Sequence, residues 1–147
     1  MISLSKFVER MTEFMVTNSL TATSLAEKTG IARSTISGLL RKEHLPSTKA
    51  LLAFADFFRC PTDYLLGLTE DYPDGVRFNL PTASFGVRFR QLLQETKVSQ
   101  YTLTKRHKIS GNLLYQWLND EAEPSVYNLT KLSFALNVSI DRLVGRE

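Results

Sequence analysis

Shifted by 78 positions, this sequence lies on itself: residues 7–67 meet residues 85–145 without a gap. Of the 61 pairs, 12 are identical, among them Phe7/Phe85, Arg10/Arg88, Leu25/Leu103, Ile31/Ile109, Leu40/Leu118, Pro46/Pro124, Ser47/Ser125, Asp63/Asp141 and Gly67/Gly145. Other pairs exchange one apolar residue for another, as in Met11/Phe89, Phe14/Leu92, Ile36/Leu114 and Phe54/Leu132. An internal repeat sets the architecture before any local pattern does. A copy of about 60 residues can bury a small core of its own, so the chain reads as two tandem domains and not as a stacked solenoid.

In both copies apolar residues recur at helical spacing. Leu4, Phe7, Val8, Met11, Phe14 and Met15 predict a first helix over about 5–18. Thr21 is placed to cap a second helix over 22–29, and Gly30 to end it in the left-handed conformation. A third helix over 33–41 turns Ile36, Leu39 and Leu40 inward. Pro46-Ser47 starts a fourth, carrying Leu51, Leu52, Phe54, Ala55 and Phe58, and residues 60–63 open a short fifth closed by Gly67. The second copy follows over 83–96, 100–107, 111–119, 125–136 and 140–144. One pair is discordant: Lys108 stands where the first copy has Gly30. A side chain at positive φ costs on the order of 1 kcal/mol, so this turn is expected to shift. Val76-Arg77-Phe78-Asn79-Leu80 alternates, and reads either as one extended segment packing three apolar groups or as a disordered tether. The expected class is all-α: five-helix domains over 1–68 and 83–147, joined by a linker at 69–82.

With 147 residues, 43% hydrophobic and 22% charged, the composition is that of a soluble globular protein. No apolar run approaches the roughly 20 residues of a membrane span, and the start lacks a basic segment followed by an apolar one. No membrane partner and a cytoplasmic location are expected. The lone Cys60 cannot form an internal disulfide and reads as a buried structural thiol. A net charge of +3 permits nucleic-acid binding without arguing for it. The placement of the charges has to decide.

The run Leu20-Thr21-Ala22-Thr23-Ser24-Leu25-Ala26-Glu27-Lys28-Thr29-Gly30-Ile31-Ala32-Arg33-Ser34-Thr35-Ile36-Ser37 resembles the helix-turn-helix of the lambda repressor/Cro (Xre-like) family. Pro46-Ser47 and Thr62-Asp63-Tyr64-Leu65-Leu66-Gly67 are similar to the rest of that domain. The second copy keeps the resemblance more weakly, through Val98-Ser99-Gln100, Leu103, Ile109-Ser110, Leu114, Trp117-Leu118, Pro124-Ser125 and Val138-Ser139-Ile140-Asp141-Arg142-Leu143. The physical reason for such a motif is geometric. A short turn holds the second helix clear of the body, where it fits the roughly 12 Å major groove.

The resemblance implies double-stranded DNA as partner and assigns residues. Base-reading positions fall on Arg33, Ser34, Ser37 and Gly38 in the first copy, at the start and outer face of its third helix, with Thr35 as a further DNA-binding candidate. In the second they fall on Gly111, Asn112, Tyr115 and Gln116. Arg33 suits guanine O6/N7, and Asn112 or Gln116 suits adenine. The family's backbone-contacting glutamine at the start of helix two is kept as Gln100 and lost as Ala22. The phosphate-contacting stretch after helix three maps to Arg41-Lys42 and to Asn119-Asp120, where Asp120, Glu121 and Glu123 would repel a phosphate path. The family's paired helix-one arginine and helix-three glutamate are both apolar here, as Met15 and Leu40 and as Leu93 and Leu118. Exchanging a buried ion pair for apolar packing is often neutral or stabilising.

The implied function is a sequence-specific transcriptional regulator acting as a covalent pseudo-dimer on an asymmetric operator. A phage or mobile-element repressor fits the resemblance, and an antitoxin-type regulator is compatible. The linker Leu68–Thr82 reaches up to about 50 Å when extended, against approximately 34 Å between half-sites one helical turn apart. Two alternatives stay open. One is a protein-interaction module, such as an antirepressor binding another regulator. The other is one DNA-binding copy joined to one that dimerises with itself. His44, His107 and Cys60 have no neighbours at metal-ligand or nucleophile spacing, and no phosphate-binding glycine loop is present. No enzyme activity, cofactor, metal or small-molecule ligand is expected. Phe57, aligned with Ala135, is a candidate interface residue.

Overall fold

The computed structural model describes residues 2–72 and 78–147. The chain divides into two compact units between residues 77 and 78. Among the described residues the regular structure is entirely helical, with five helices in each unit.

The first unit holds α1 (Leu4–Thr17), α2 (Ala22–Thr29), α3 (Arg33–Leu40), α4 (Thr48–Phe58) and α5 (Thr62–Leu65). Their starts follow from local chemistry. Ser3, Thr21 and Ser47 each accept a backbone N–H three residues on, and Thr21 and Ser24 form a reciprocal capping box. α1 packs on α3 and α5, α2 on α3 and α4, and α4 on α5. Phe7, Met11, Leu25, Ile36, Leu39, Leu51, Phe54 and Leu65 form the sealed centre. Cys60 is buried as expected.

The second unit holds α6 (Phe85–Thr96), α7 (Gln100–Lys105), α8 (Gly111–Leu118), α9 (Val126–Leu136) and α10 (Ile140–Leu143). Ser84, Ser99, Ser110, Ser125 and Ser139 cap them in turn. α6 packs on α8, α9 and α10 around Phe89, Leu103, Trp117, Leu129, Leu132 and Leu143.

The repeat is visible in the backbone itself. Left-handed φ angles occur at Ser19, Gly30, Lys42, Arg59 and Gly67, and again at Lys97, Lys108, Asp120, Asn137 and Gly145. Each residue of the second set lies 78 positions after its twin. Five chain reversals therefore recur at the same places, although only the Gly67/Gly145 pair keeps the same residue. The expected shift of the turn at Lys108 is met in part: the left-handed residue stays in register, while the helix before it ends two positions earlier than its twin. Lys108 adopts φ 56, and α7 ends at Lys105, short of residue 107. The Ile109 N–H reaches back to the Leu103 carbonyl at 3.1 Å, which closes the turn around the lysine.

Arg10 and Arg88, identical in the repeat, are buried to different depths, and each binds carbonyls beyond its own helix. Arg10 donates to the carbonyls of Tyr64 and Thr69 (2.8 Å for the latter), lies 3.9 Å over the Tyr64 ring and pairs with Glu70 at 2.9 Å. Arg88 donates to the Leu143 carbonyl at 3.2 Å and to that of Ala83. A guanidinium meets orphan carbonyls at the end of a short helix and fastens it to the first helix.

The segment expected as linker, 69–82, is docked at both ends. Tyr72 packs tilted against Phe14 and edge-on against Tyr64, with ring centroids 5.9 and 4.9 Å away, and its hydroxyl donates to the Arg59 carbonyl at 3.2 Å. Phe78 lies under the Arg146 guanidinium at 4.1 Å, and the Asn79 N–H donates to the Arg146 carbonyl at 2.7 Å. The extended segment expected over 76–80 is thus met only in part. Phe78 packs, Leu80 is 81% exposed, and Val76 and Arg77 lie outside the described residues.

Candidate nucleic-acid interface

In the first unit the candidate surface is α3 and its two ends. Ala32 precedes the helix without offering a side-chain cap, so the backbone N–H groups of the first turn are open. Arg33 and Ser34 stand on that turn, exposed. Thr35 and Ser37 are half-buried. Gly38, expected on the outer face, is buried instead. A Cβ there would come within 3.1 Å of His44 Nε2 and 3.2 Å of Glu43 Oε2, so the following loop folds over it. Gly38 thus lies beneath the tips of Glu43 and His44 and not on the open outer face.

Beyond α3 the expected phosphate pair separates into two different residues. Arg41 is exposed, but its Nε donates to Glu43 Oε1 at 2.8 Å. That hydrogen bond and the opposite charge raise the Arg41 pKa and lower that of Glu43. Arg41 therefore comes with its own counter-charge. Lys42 is exposed; its N–H donates to the Leu39 carbonyl at 3.0 Å, and its ammonium has no described hydrogen bond or ion pair.

The corresponding surface of the second unit is built otherwise. Ser110 caps α8 by accepting the N–H groups of Asn112 and Leu113, which closes the helix start that α3 leaves open. Gly111, Asn112 and Tyr115 are exposed, with Tyr115 at 60%, and Gln116 is half-buried. Gln100 is exposed at the start of α7. Asn119 turns its amide back onto the Tyr115 carbonyl at 2.8 Å, so its donor is already engaged.

Asp120 does not point along the path its sequence position implied. Its carboxylate accepts from Ser84 Oγ at 2.7 Å and from the Gly86 N–H at 2.8 Å. Those two donors, the Gly86 N–H foremost, hold its pKa below the usual carboxylate range. The contact depends on Gly86. A Cβ there would lie 2.7 Å from the Leu118 carbonyl oxygen, so α6 can approach the end of α8 only without one.

Sequence reasoning did not single out a third cluster. Lys105, Arg106 and Lys108 are exposed at the end of α7 and in the turn that leads to α8. The only described interaction of these side chains is the approach of Lys105 to the Tyr101 ring, 6.0 Å away. The signal was present as the run Lys105-Arg106-His107-Lys108, against Glu27-Lys28-Thr29-Gly30 in the first copy. Helical spacing puts 105–107 at the end of the second helix and only Lys108 in the turn, and marks none of them as a surface.

No group of three or more histidine, cysteine or acidic side chains able to hold a metal occurs among the described residues. No described helix is long and apolar enough to cross a membrane.

Residues 13–65, from within α1 to the last residue of α5, match the family model described as Helix-turn-helix. A protein of Bacillus subtilis (strain 168), YobD, described as an uncharacterized HTH-type transcriptional regulator, is 35% identical over 68 residues. That alignment covers 46% of this chain and 60% of the relative's length. No solved structure gives a significant match.

Proposed function

We propose that the chain is a sequence-specific regulator of transcription that binds double-stranded DNA. In this reading residues 1–68 and 83–147 are two tandem lambda-repressor-like domains, acting as a covalent pseudo-dimer and most simply as a repressor. The observation that carries it is the amino end of α3, where exposed Arg33 and Ser34 flank uncapped backbone N–H groups within the matched stretch 13–65. A helix start of that kind offers donors and partial positive charge to phosphate. Arg33 reads guanine, Lys42 neutralises a phosphate, and Asn112, Tyr115 and Gln100 present the weaker second face.

The docked tether constrains how one chain covers two half-sites. Between Tyr72 and Phe78 the chain extends by at most about 20 Å, less than the approximately 34 Å of one helical turn. Two half-sites are reached only if the domains' own width supplies the difference or if Tyr72 leaves its aromatic seat.

A second reading has an observation of its own. On α9, Tyr127 and Phe134 are 52% and 84% exposed, where the first copy has Lys49 and Asp56. An aromatic face at i, i+7 favours a second unit that pairs with protein, as a dimerisation copy or as a contact for another regulator.

Selection of the full chain against random duplex DNA separates the readings. A two-part asymmetric site is expected for the pseudo-dimer. A palindrome or a lone half-site indicates one DNA-binding unit, and no enrichment indicates an interaction module.

A further inference from the structure

Charge is distributed oppositely around the third helix of each unit. Before α3, Glu27 and Lys28 cancel; after it, Arg41, Lys42 and Glu43 leave one positive charge. Before α8, Lys105, Arg106 and Lys108 supply three positive charges; after it, Asp120, Glu121 and Glu123 supply three negative ones. The three cations are exposed, and none has a described carboxylate partner. At the other end Asp120 is held by Ser84 and Gly86, so that negative charge belongs to the packing of α6 on α8. The field along α8 therefore runs from positive at its amino end to negative at its carboxyl end, in the same sense as the helix dipole.

Resting on the DNA-binding reading above, we propose that the second unit grips duplex DNA through Lys105, Arg106 and Lys108. Its phosphate contact lies at the turn before α8, and not in the segment after the helix where the family resemblance puts it. A duplex seated on α8 runs its backbone past this turn. The carboxyl end of α8, with Asp120, Glu121 and Glu123, stands off the phosphates. The two units then dock differently: the first draws its backbone contacts from the α3 start and Lys42, and the second from the α7–α8 turn.

The test is the salt dependence of full-chain binding to the selected duplex. Each neutralised phosphate adds about 0.9 to the slope of log affinity against log salt. Lys105→Gln/Arg106→Gln/Lys108→Gln is expected to make that slope shallower by about 2–3, with an unchanged melting profile, since all three side chains are exposed. Lys131→Gln, on α9, removes one charge elsewhere and should leave the slope unmoved. Glu121→Gln/Glu123→Gln should change affinity by less than about threefold, because charges farther than a Debye length of roughly 8–10 Å are screened.

An unmoved slope in the triple variant, with Arg33 still required, overturns this inference and leaves the DNA-binding reading standing. A lowered melting temperature without a change of slope assigns the cations to the α7 dipole and also overturns it. A large gain from Glu121→Gln/Glu123→Gln puts the acidic end on the phosphate path and does the same. If the unsubstituted chain binds no duplex at all, both readings fall.

Discussion

Lys42 and Asp120 occupy the same backbone position, 78 residues apart, with φ angles of 60 and 57. One side chain has no partner among the described residues, and the other is tied to the start of α6. The difference originates a helix away, where the first copy has Val8 at the position that Gly86 holds in the second. Without a Cβ, α6 comes close enough for its N–H to meet Asp120, and a carboxylate after the third helix gains a structural task. The path of a chain through a repeat is thus set by steric geometry, while the chemistry at one point on that path is set by what its neighbours leave room for.

A second contrast gives the largest expected effect. Asp141 and Arg146 pair at 2.5 Å with side chains only 5% and 3% exposed, whereas the first copy has Asp63 and, in place of the arginine, Leu68. Arg146→Ala leaves a carboxylate buried without its guanidinium and should cost the second unit about 3–5 kcal/mol. Residue-level hydrogen exchange should show that loss in α9 and α10 and not in α4 and α5. Equal loss in both units would mean that they do not unfold independently.

Gly86→Val makes α6 resemble α1 and sharpens the first comparison. Overpacking against the Leu118 and Trp117 carbonyls should cost about 1–3 kcal/mol, read as a shift in the urea midpoint. No shift would mean that the close approach of α6 to α8 is not what separates the units.

Arg33→Ala should cost about 1–3 kcal/mol of binding on the best site and relax preference at one base pair. The reciprocal change Gly111→Arg supplies the second unit with the missing reader. Equal weakening of Arg33→Ala on selected and random duplexes would move Arg33 from base to phosphate.

Lys108→Gly removes strain at a left-handed residue and should stabilise the second unit by about 0.5–1 kcal/mol. The same change should weaken DNA binding if the turn carries phosphate contacts. Stability and affinity would then move in opposite directions.

The smallest effect is the pH dependence that Asp120 adds to the second unit. The lowered pKa of Asp120 means that its contribution is complete above the unfolded carboxylate range near 4. It is lost as pH falls through the lower folded value. Asp120→Asn should flatten the acid limb of second-unit stability and leave the first unit's unchanged. A matching change in the first unit would refute that assignment.

Much of this was legible from residues alone. Helix starts were readable because Thr21, Ser47 and Ser125 act on N–H groups three residues away, a purely local interaction. The exposed members of the site, Arg33, Ser34, Asn112 and Tyr115, were readable because the outer face of a helix follows from its period. Gly38 was misplaced because what covers it is a loop five and six residues farther on. Arg41 and Lys42 looked equivalent until the loop brought Glu43 to only one of them.

The sequence by itself therefore determined the repeat and the ten helices of the described residues, since each depends on spacing or on a cap within a turn. Only the tertiary structure decided which charges remain free, because pairing depends on groups brought together from distant parts of the chain. Asp120 meets residues 84 and 86, Arg10 meets residues 64–70, and Phe78 meets Arg146. Those meetings cost chain entropy that packing must offset, and no local pattern records whether it does.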